Sequence, residues 1–503
     1  MGCSRVPTAG QDAVTPGRGG WVGGVLLACL VLAWFYSGTE AAASYHGLVH
    51  GAITQSVHRT GVPPEDPFFA GETIRYYWVH HALATLMPGT GPLAALAILN
   101  ALAALLIVPG AAGLARRLDP SRGSSAAGVI LVLAGFNAAG FIPWAMAGFP
   151  WTNEGAPLAS LSALTWPGGD PRNHVFLAKY LNLSSFPLGL SLAVWSILRV
   201  LEGSGRLTTG VLTGAALAVN PLAAGPFVAG SLVVGGRARA GVLVGVAVGA
   251  VTLWSAGGGS DLGWGWPGPG RLLTGLGAPA AVMLVLASRR PAPAGAARLA
   301  LLVVAGVSAA GWLFLRLPLD NEYKFVRTAC LALCVLAAPA AAAVPRKGQI
   351  GLACVLVPCT VYGLAAYGVR AGRDMADAWP SDSERSSAII WLKQHSEPEA
   401  VVVVWERASA TQGSRVAWAT GRPVFVDPGF HMSMRHDGYA DRMAILEGLA
   451  RGGHEGLARA RAAFDSLGRP IYLLPPGQVP DAWGEGVLER VAGVEGLWRA
   501  AGP

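Results

Sequence analysis

Residues 63–83 read PPEDPFFAGETIRYYWVHHAL. Three acids, an arginine, two adjacent histidines and five aromatics stand together there, in a chain otherwise rich in Ala, Gly, Leu and Val. Whether this stretch crosses a membrane decides the direction of every later segment. Its helical part, residues 76–87, is only about 12 residues long, and a hydrocarbon core of roughly 30 Å needs about 20. Counted as a span, it would also invert every basic cluster that follows. It is therefore predicted to be a helix lying on, or dipping into, the outer face.

Of the 503 residues, 52% are hydrophobic and 13% charged, and apolar stretches near the length of a membrane helix recur from residue 21 to residue 368. That pattern is a polytopic membrane protein. Of the 29 acids, 17 fall in residues 370–503, where 15 Lys and Arg accompany them. That tail is near neutral and reads as water-soluble. The remaining residues carry +10, which suits membrane topology, and no basic run with interleaved aromatics supports nucleic-acid binding. Five of the six cysteines lie in predicted spans, so no disulfide framework or thiolate metal site follows. No cofactor is implied, and a divalent metal is not indicated.

Basic clusters at Arg5/Arg18, Arg116/Arg117/Arg122, Arg199/Arg206, Arg237/Arg239, Arg289/Arg290/Arg298 and Arg346/Lys347 set the orientation. Placing all six inside demands spans near 21–38, 92–115, 124–143, 184–203, 240–256, 271–288, 298–316, 324–344 and 349–368. Between residues 208 and 236 the chain must leave and return, and Asn220-Pro221 breaks that stretch into two short helices. The fold class is thus mostly α. It is a polytopic helical domain, residues 1–369, with about 11 membrane segments and outer loops at 39–91 and 144–185. A small extracytoplasmic α/β domain follows at 370–503. The predicted location is a bacterial inner membrane, with the N-terminus cytoplasmic. In the tail, helices are expected at 384–395 and 441–467 and strands at 400–405, 423–426 and 470–474. No phosphate-binding glycine loop follows a strand, so a lid or partner-binding role fits the tail better than catalysis.

Three outer constellations carry candidate chemistry. The first opens with Glu40, followed by a helical run over residues 41–59 with His46 and His50 one turn apart, then the turn holding Asp66 and Glu72. A carboxylate at a membrane boundary serves as a proton acceptor when burial or a neighbour tunes it, or it simply caps the span. His46-x-x-x-His50 has a zinc-like spacing, though interfacial hydrogen bonding explains it as well. The second is the long loop 144–185, with Glu154, Arg172, His174, Lys179 and Tyr180 among tryptophans. Aromatics pack sugar faces, and Arg or Lys grip phosphate; an interfacial aromatic belt is the plainer reading. The third, RLPLDNEYKFVR at 316–327, holds Lys324 and Arg327 on one helical face outside the membrane, against the positive-inside trend. They suit a lipid phosphate, or pair with Asp320 and Glu322.

This order of features resembles the GT-C class of multi-pass glycosyltransferases, which use polyprenyl-phosphate sugars. The resemblance rests on Glu40 after the first span, the helix from His46 to Arg59, and the element Glu65-Asp66-Pro67-Phe68-Phe69-Ala70-Gly71-Glu72. DPFFAGETIRYYWVHHAL followed by ILNALAALL is similar to uncharacterised membrane proteins with a YYY motif, here Tyr76-Tyr77-Trp78, and Asn100 matches an Asn of theirs. WLKQHSEPEAVVVVW and ATGRPVFVDPGFH resemble their tails. Many relatives have an Asp directly before the outer-helix His, where this chain has Ala43-Ser44-Tyr45.

The resemblance implies transfer of a sugar from a polyprenyl-phosphate donor, with inversion, to a glycan, lipid or protein acceptor. Glu40 is then the first candidate base and Asp66 the second. Lys324, Arg327 and Arg172 would stabilise the leaving phosphate. Trp78, His80 and His81 would shape the pocket mouth, and His46, Glu72, Arg75, Tyr77, Glu154, Lys179 and Glu322 would line the substrate site. Two other classes stay open: a non-catalytic envelope scaffold, and a transporter. The latter should show polar residues deep within spans or inverted repeats, and the chain shows chiefly Asn100 and the Asn220-Pro221 break.

Overall fold

The computed structural model describes residues 47–134, 180, 183–255, 263–264, 285–286, 288, 295–317, 323–352, 354, 356, 383–405, 413–452, 454–475, 483 and 488–500. Helices dominate. α1 (Gly47–Thr60) and the short α2 (Val79–Thr85) precede α3 (Pro92–Leu118) and α4 (Arg122–Ala134). Then come α5 (Phe186–Leu201), α6 (Arg206–Val219), α7 (Pro221–Val234), α8 (Arg239–Ser255), α9 (Ala296–Phe314) and α10 (Tyr323–Ala342). Among the described residues, α3, α9 and α10 are long and apolar enough to cross a membrane, while α4 to α7 are shorter apolar helices. At about 1.5 Å per residue, α3 extends roughly 40 Å. The expected span at 21–38, and most of those at 271–288 and 349–368, lie outside the described residues.

The bundle is organised around α10, which is 94% buried over its most apolar stretch. Polar side chains fasten α5 to α3 and to α6. Ser191 Oγ donates to Ala103 O at 2.9 Å, Trp195 Nε1 to Leu106 O at 2.9 Å, and the Ser196 and Thr213 hydroxyls meet at 2.7 Å. The expected break at Asn220-Pro221 separates α6 from α7. Asn220 Oδ1 accepts the Ala223 N–H at 3.1 Å, capping α7, and Pro221 occupies the first turn, where no N–H is needed.

α6 and α8 cross through glycines. A Cβ at Gly245 would stand 2.5 Å from the Gly210 carbonyl oxygen and 2.9 Å from the Gly214 nitrogen. The two backbones therefore touch, the arrangement that small residues four apart permit.

The C-terminal residues form α11 (Ser383–His395), β3 (Val401–Val404), α12 (Arg415–Thr420), α13 (Tyr439–Arg451), α14 (His454–Leu467), β4 (Ile471–Leu474), β5 (Leu488–Arg490) and β6 (Trp498–Ala500). An earlier two-stranded pair joins β1 (Gly263–Trp264) to β2 (Leu315–Arg316). The larger sheet has the order β3-β4-β6-β5, with β3 and β4 parallel and the other pairs antiparallel. The expected helix over 441–467 is two helices, because Gly452 adopts a left-handed φ of 67° that ends α13. The expected strand at 423–426 reduces to a parallel bridge from Val424 to Val402.

β3 and β4 are buried on both faces, which is why their sequences are unbroken apolar runs. Val401, Val403, Ile471 and Leu473 pack on Leu446, Leu449, Leu457 and Phe464 of α13 and α14. Val402, Val404, Tyr472 and Leu474 face α11 and α12, and also Val49, Ala52 and Ile53 of α1.

The free edge of β3 is covered from far away in sequence. Val402 N–H donates to Pro423 O, and Phe425 N–H to Val402 O, both at 2.9 Å. On the other side of the 423–425 segment, Val424 N–H donates to Pro67 O and Ala70 N–H to Val424 O, again at 2.9 Å. The loop 61–78 thus extends the C-terminal sheet and protects its edge.

Candidate functional site

Polar side chains converge where α1, α2 and the start of α10 meet. Tyr77, just before α2, accepts a hydrogen bond from Lys324 Nζ at 2.9 Å, and the ammonium lies 5.6 Å from its ring centroid. Lys324 and Arg327 occupy the first two turns of α10, three residues apart and both buried. The Arg327 guanidinium lies 5.7 Å from the Tyr323 ring. The Tyr76 ring lies against that of Tyr77, tilted by 30° with centroids 3.9 Å apart. Burial alone would raise the Tyr77 pKa; the Lys324 charge and hydrogen bond overcome this and hold it below the usual value. Tyr76 is pushed well above, by burial first and then by Tyr77.

Behind the tyrosines the histidines are fixed in definite tautomers. Thr54 Oγ1 donates to His50 O at 2.8 Å, so towards His81 Nδ1, 3.2 Å away, it acts as the acceptor. His81 then carries its proton on Nδ1, and its Nε2 accepts from His50 Nδ1 at 3.3 Å. The two rings stack at 5.1 Å. Burial, then the charges of His50 and His80, keeps the His81 pKa well below that of a free imidazole.

His80 is fully buried, and neither ring nitrogen has a hydrogen-bond partner among the described residues. Burial pulls its pKa down to about 3. In the unfolded chain histidine titrates near 6.5, so between these values the unfolded state binds a proton that the folded state refuses. Stability is therefore full above the unfolded value and falls by about 1.4 kcal/mol per unit as pH drops towards the folded one. H80F should flatten that slope by about one proton between roughly pH 6 and 4. Denaturant unfolding across that range checks it, and identical slopes in variant and wild type would remove His80 as the cause.

Asp66 has different company. Its Oδ1 accepts the Phe68 N–H at 2.8 Å, and its Oδ2 lies 2.9 Å from His436 Nε2, which donates to it. Both oxygens of this fully buried carboxylate are engaged at the junction of the loop with the C-terminal sheet. Glu72 is exposed, and its backbone carbonyl accepts the Asp66 N–H at 2.7 Å. Arg75 donates to Arg435 O at 2.5 Å and pairs with Asp437 at 3.3 Å. Glu40, His46, Glu154, Arg172, Lys179 and Glu322 lie outside the described residues. Among the described residues, no three His, Cys, Asp or Glu side chains are grouped to hold a metal ion.

Sequence reasoning missed Ser185, which hydrogen-bonds Tyr77 and whose Oγ accepts from Asn220 Nδ2 at 3.0 Å. It also missed Arg435, whose charge reaches Tyr76 from the C-terminal region. Ser185 had no signal beyond its place before Pro187. The only sequence signal for Arg435 is the polar run MSMRHDG around it.

No protein-family model matches the sequence, and no curated protein matches it. Solved structures do. The crystal structure of ArnT from Cupriavidus metallidurans bound to undecaprenyl phosphate aligns over 97% of this chain and 100% of its own, with a TM-score of 0.55 at 13% identity. The chain has the ArnT fold. The same ArnT in its apo state aligns over 96% and 99%, with a TM-score of 0.52 at 13% identity. An oligosaccharyltransferase from Archaeoglobus fulgidus aligns over 89% of this chain and 67% of its own at 11% identity, and its TM-score of 0.40 is too low to bear on the fold. The ArnT likeness is one of fold. With its apolar helices, it makes the chain a multi-pass membrane protein.

Proposed function

We propose that this protein transfers a sugar from a polyprenyl-phosphate donor to an acceptor on the outer face of a bacterial inner membrane. The observation that carries the reading is the pair Lys324 and Arg327, buried at the start of α10 with Lys324 bonded to Tyr77. ArnT, whose fold the chain shares, has been crystallised with undecaprenyl phosphate. In the proposed reaction a carboxylate takes the proton from the acceptor hydroxyl. The oxygen attacks the anomeric carbon with inversion, and the bond to the phosphate oxygen breaks. Lys324 and Arg327, with Arg172, stabilise the departing phosphate. Glu40 is the preferred base, because both Asp66 oxygens already serve His436 and the Phe68 N–H. About eleven membrane segments place the N-terminus inside, and residues 370–503 form an outer α/β domain covering the site.

Mass spectrometry of lipids extracted from the purified protein tests this, together with binding of added undecaprenyl phosphate. Polyprenyl-phosphate sugars and saturable binding are expected; phospholipids alone, with no binding, would sink the proposal. A non-catalytic scaffold is the second reading, favoured by the purely structural engagement of Asp66. It predicts lipid binding without turnover, whereas the enzyme reading predicts turnover that E40Q abolishes in a folded protein.

A further inference from the structure

At the C-terminal end of α1, two guanidinium groups bind one carboxylate, and a third bears on one of them by charge. Arg59 Nη2 lies 2.8 Å from Glu65 Oε2, and Arg469 Nη1 pairs with Oε1 of the same group. The charges of Arg469 and Arg422 both bear on Arg59. Arg422 is held in place by Ser396, donating to its carbonyl at 2.8 Å and its hydroxyl at 3.1 Å. Glu397 and Glu399 act on Arg422 by charge. Glu397, however, is already bound by Arg499 and the Tyr472 hydroxyl. Cations are in excess at this junction of α1, the loop and the C-terminal sheet.

Arg59 also has unused capacity. Its Nε and Nη1 are buried and have no hydrogen-bond partner among the described residues. One turn earlier on the same helical face, Gln55 Oε1 is likewise buried without a partner. Buried donors left unpaired cost about 1–3 kcal/mol each, and more when charged, and repulsion from two neighbouring cations adds to this. A bound anion relieves both. Guanidinium groups match phosphate oxygens through paired N–H donors. The Gln55 carbonyl suits a hydroxyl of the same ligand.

We infer that Arg59, Arg422 and Arg469, with Gln55, form a binding site for a phosphate group, carried by a soluble phosphorylated sugar or by an anionic lipid headgroup. The site shares no residue with the Tyr77–Lys324 cluster, and it stands whether or not the protein transfers a sugar.

The test uses the full chain in neutral phosphatidylcholine nanodiscs. Its unfolding midpoint is followed against inorganic phosphate, with ionic strength held constant by chloride. A second arm omits phosphate and adds phosphatidylglycerol to the disc. A saturable rise with phosphate, with an apparent Kd about tenfold weaker in R422Q and intermediate in R422K, supports the site with free phosphate as ligand. A rise with phosphatidylglycerol alone, lost in R422Q, supports it with a headgroup as ligand. R59Q repeats both arms, and R422Q decides if R59Q fails to fold. No saturable rise in either arm, or equal rises in wild type and R422Q, overturns the site.

Discussion

K324Q is expected to lower sugar transfer by about 10²–10³-fold, the scale seen when one preorganised charge or donor is removed from a developing anion. Lys324 is nearly fully buried, and its ammonium donates to the Tyr77 hydroxyl at 2.9 Å. Glutamine still offers Tyr77 an N–H donor, so the local packing survives, but it brings no charge to the leaving phosphate. K324R keeps the charge in a wider, planar group and should fall between wild type and K324Q. A second readout separates loss of charge from loss of fold. Burial raises the Tyr77 pKa and Lys324 brings it down, so the Tyr77 phenol should titrate higher in K324Q. Transfer is measured in nanodiscs with undecaprenyl-phosphate-linked glucose, mannose and arabinose. Undiminished transfer by K324Q would remove Lys324 from the site.

The largest loss of stability is expected from G245L. A Cβ at Gly245 meets the Gly210 carbonyl oxygen at 2.5 Å, Thr213 Cβ at 2.8 Å and the Gly214 nitrogen at 2.9 Å. Two of these are backbone atoms of α6, which cannot rotate aside as a side chain would. The helices must separate, losing close packing along their length, at a cost of at least about 3 kcal/mol. Gly306 in α9 is the control, since a Cβ there meets nothing within 4 Å. G306L should leave the thermal midpoint in detergent within error of wild type, while G245L lowers it sharply. Equal midpoints for the two variants would contradict the close crossing of α6 and α8.

What the sequence made legible was local or periodic. The Asn220-Pro221 break followed from a proline without an N–H beside a side chain suited to capping. The brevity of α2 followed from its length. The buried β3 and β4 followed from unbroken apolar runs. Lys324 and Arg327 stood out by opposing the charge bias of the spans. Pairings across hundreds of residues left no such trace. Nothing around Glu65 points to Arg469, and nothing around Asp66 points to His436. The loop element PPEDPFFAGE looked chemical because it is polar, and several of those polar groups are fasteners: Glu65 ties Arg59 and Arg469, and Asp66 ties His436 and its own turn. Burial and partner choice are three-dimensional properties that a residue list does not encode.

The joining of the loop to the C-terminal sheet has a consequence for biosynthesis. Pro67 and Ala70 complete their hydrogen bonds only with Val424, about 350 residues further along the chain. At roughly 5–20 residues per second, the ribosome needs on the order of 20–70 s to cover that distance. Throughout that interval Phe68 and Phe69, both buried in the finished protein, have no sheet to enter. The nascent chain therefore passes through a stage with its helices inserted and an aromatic loop still uncovered, and a chain truncated before Val424 would remain at that stage.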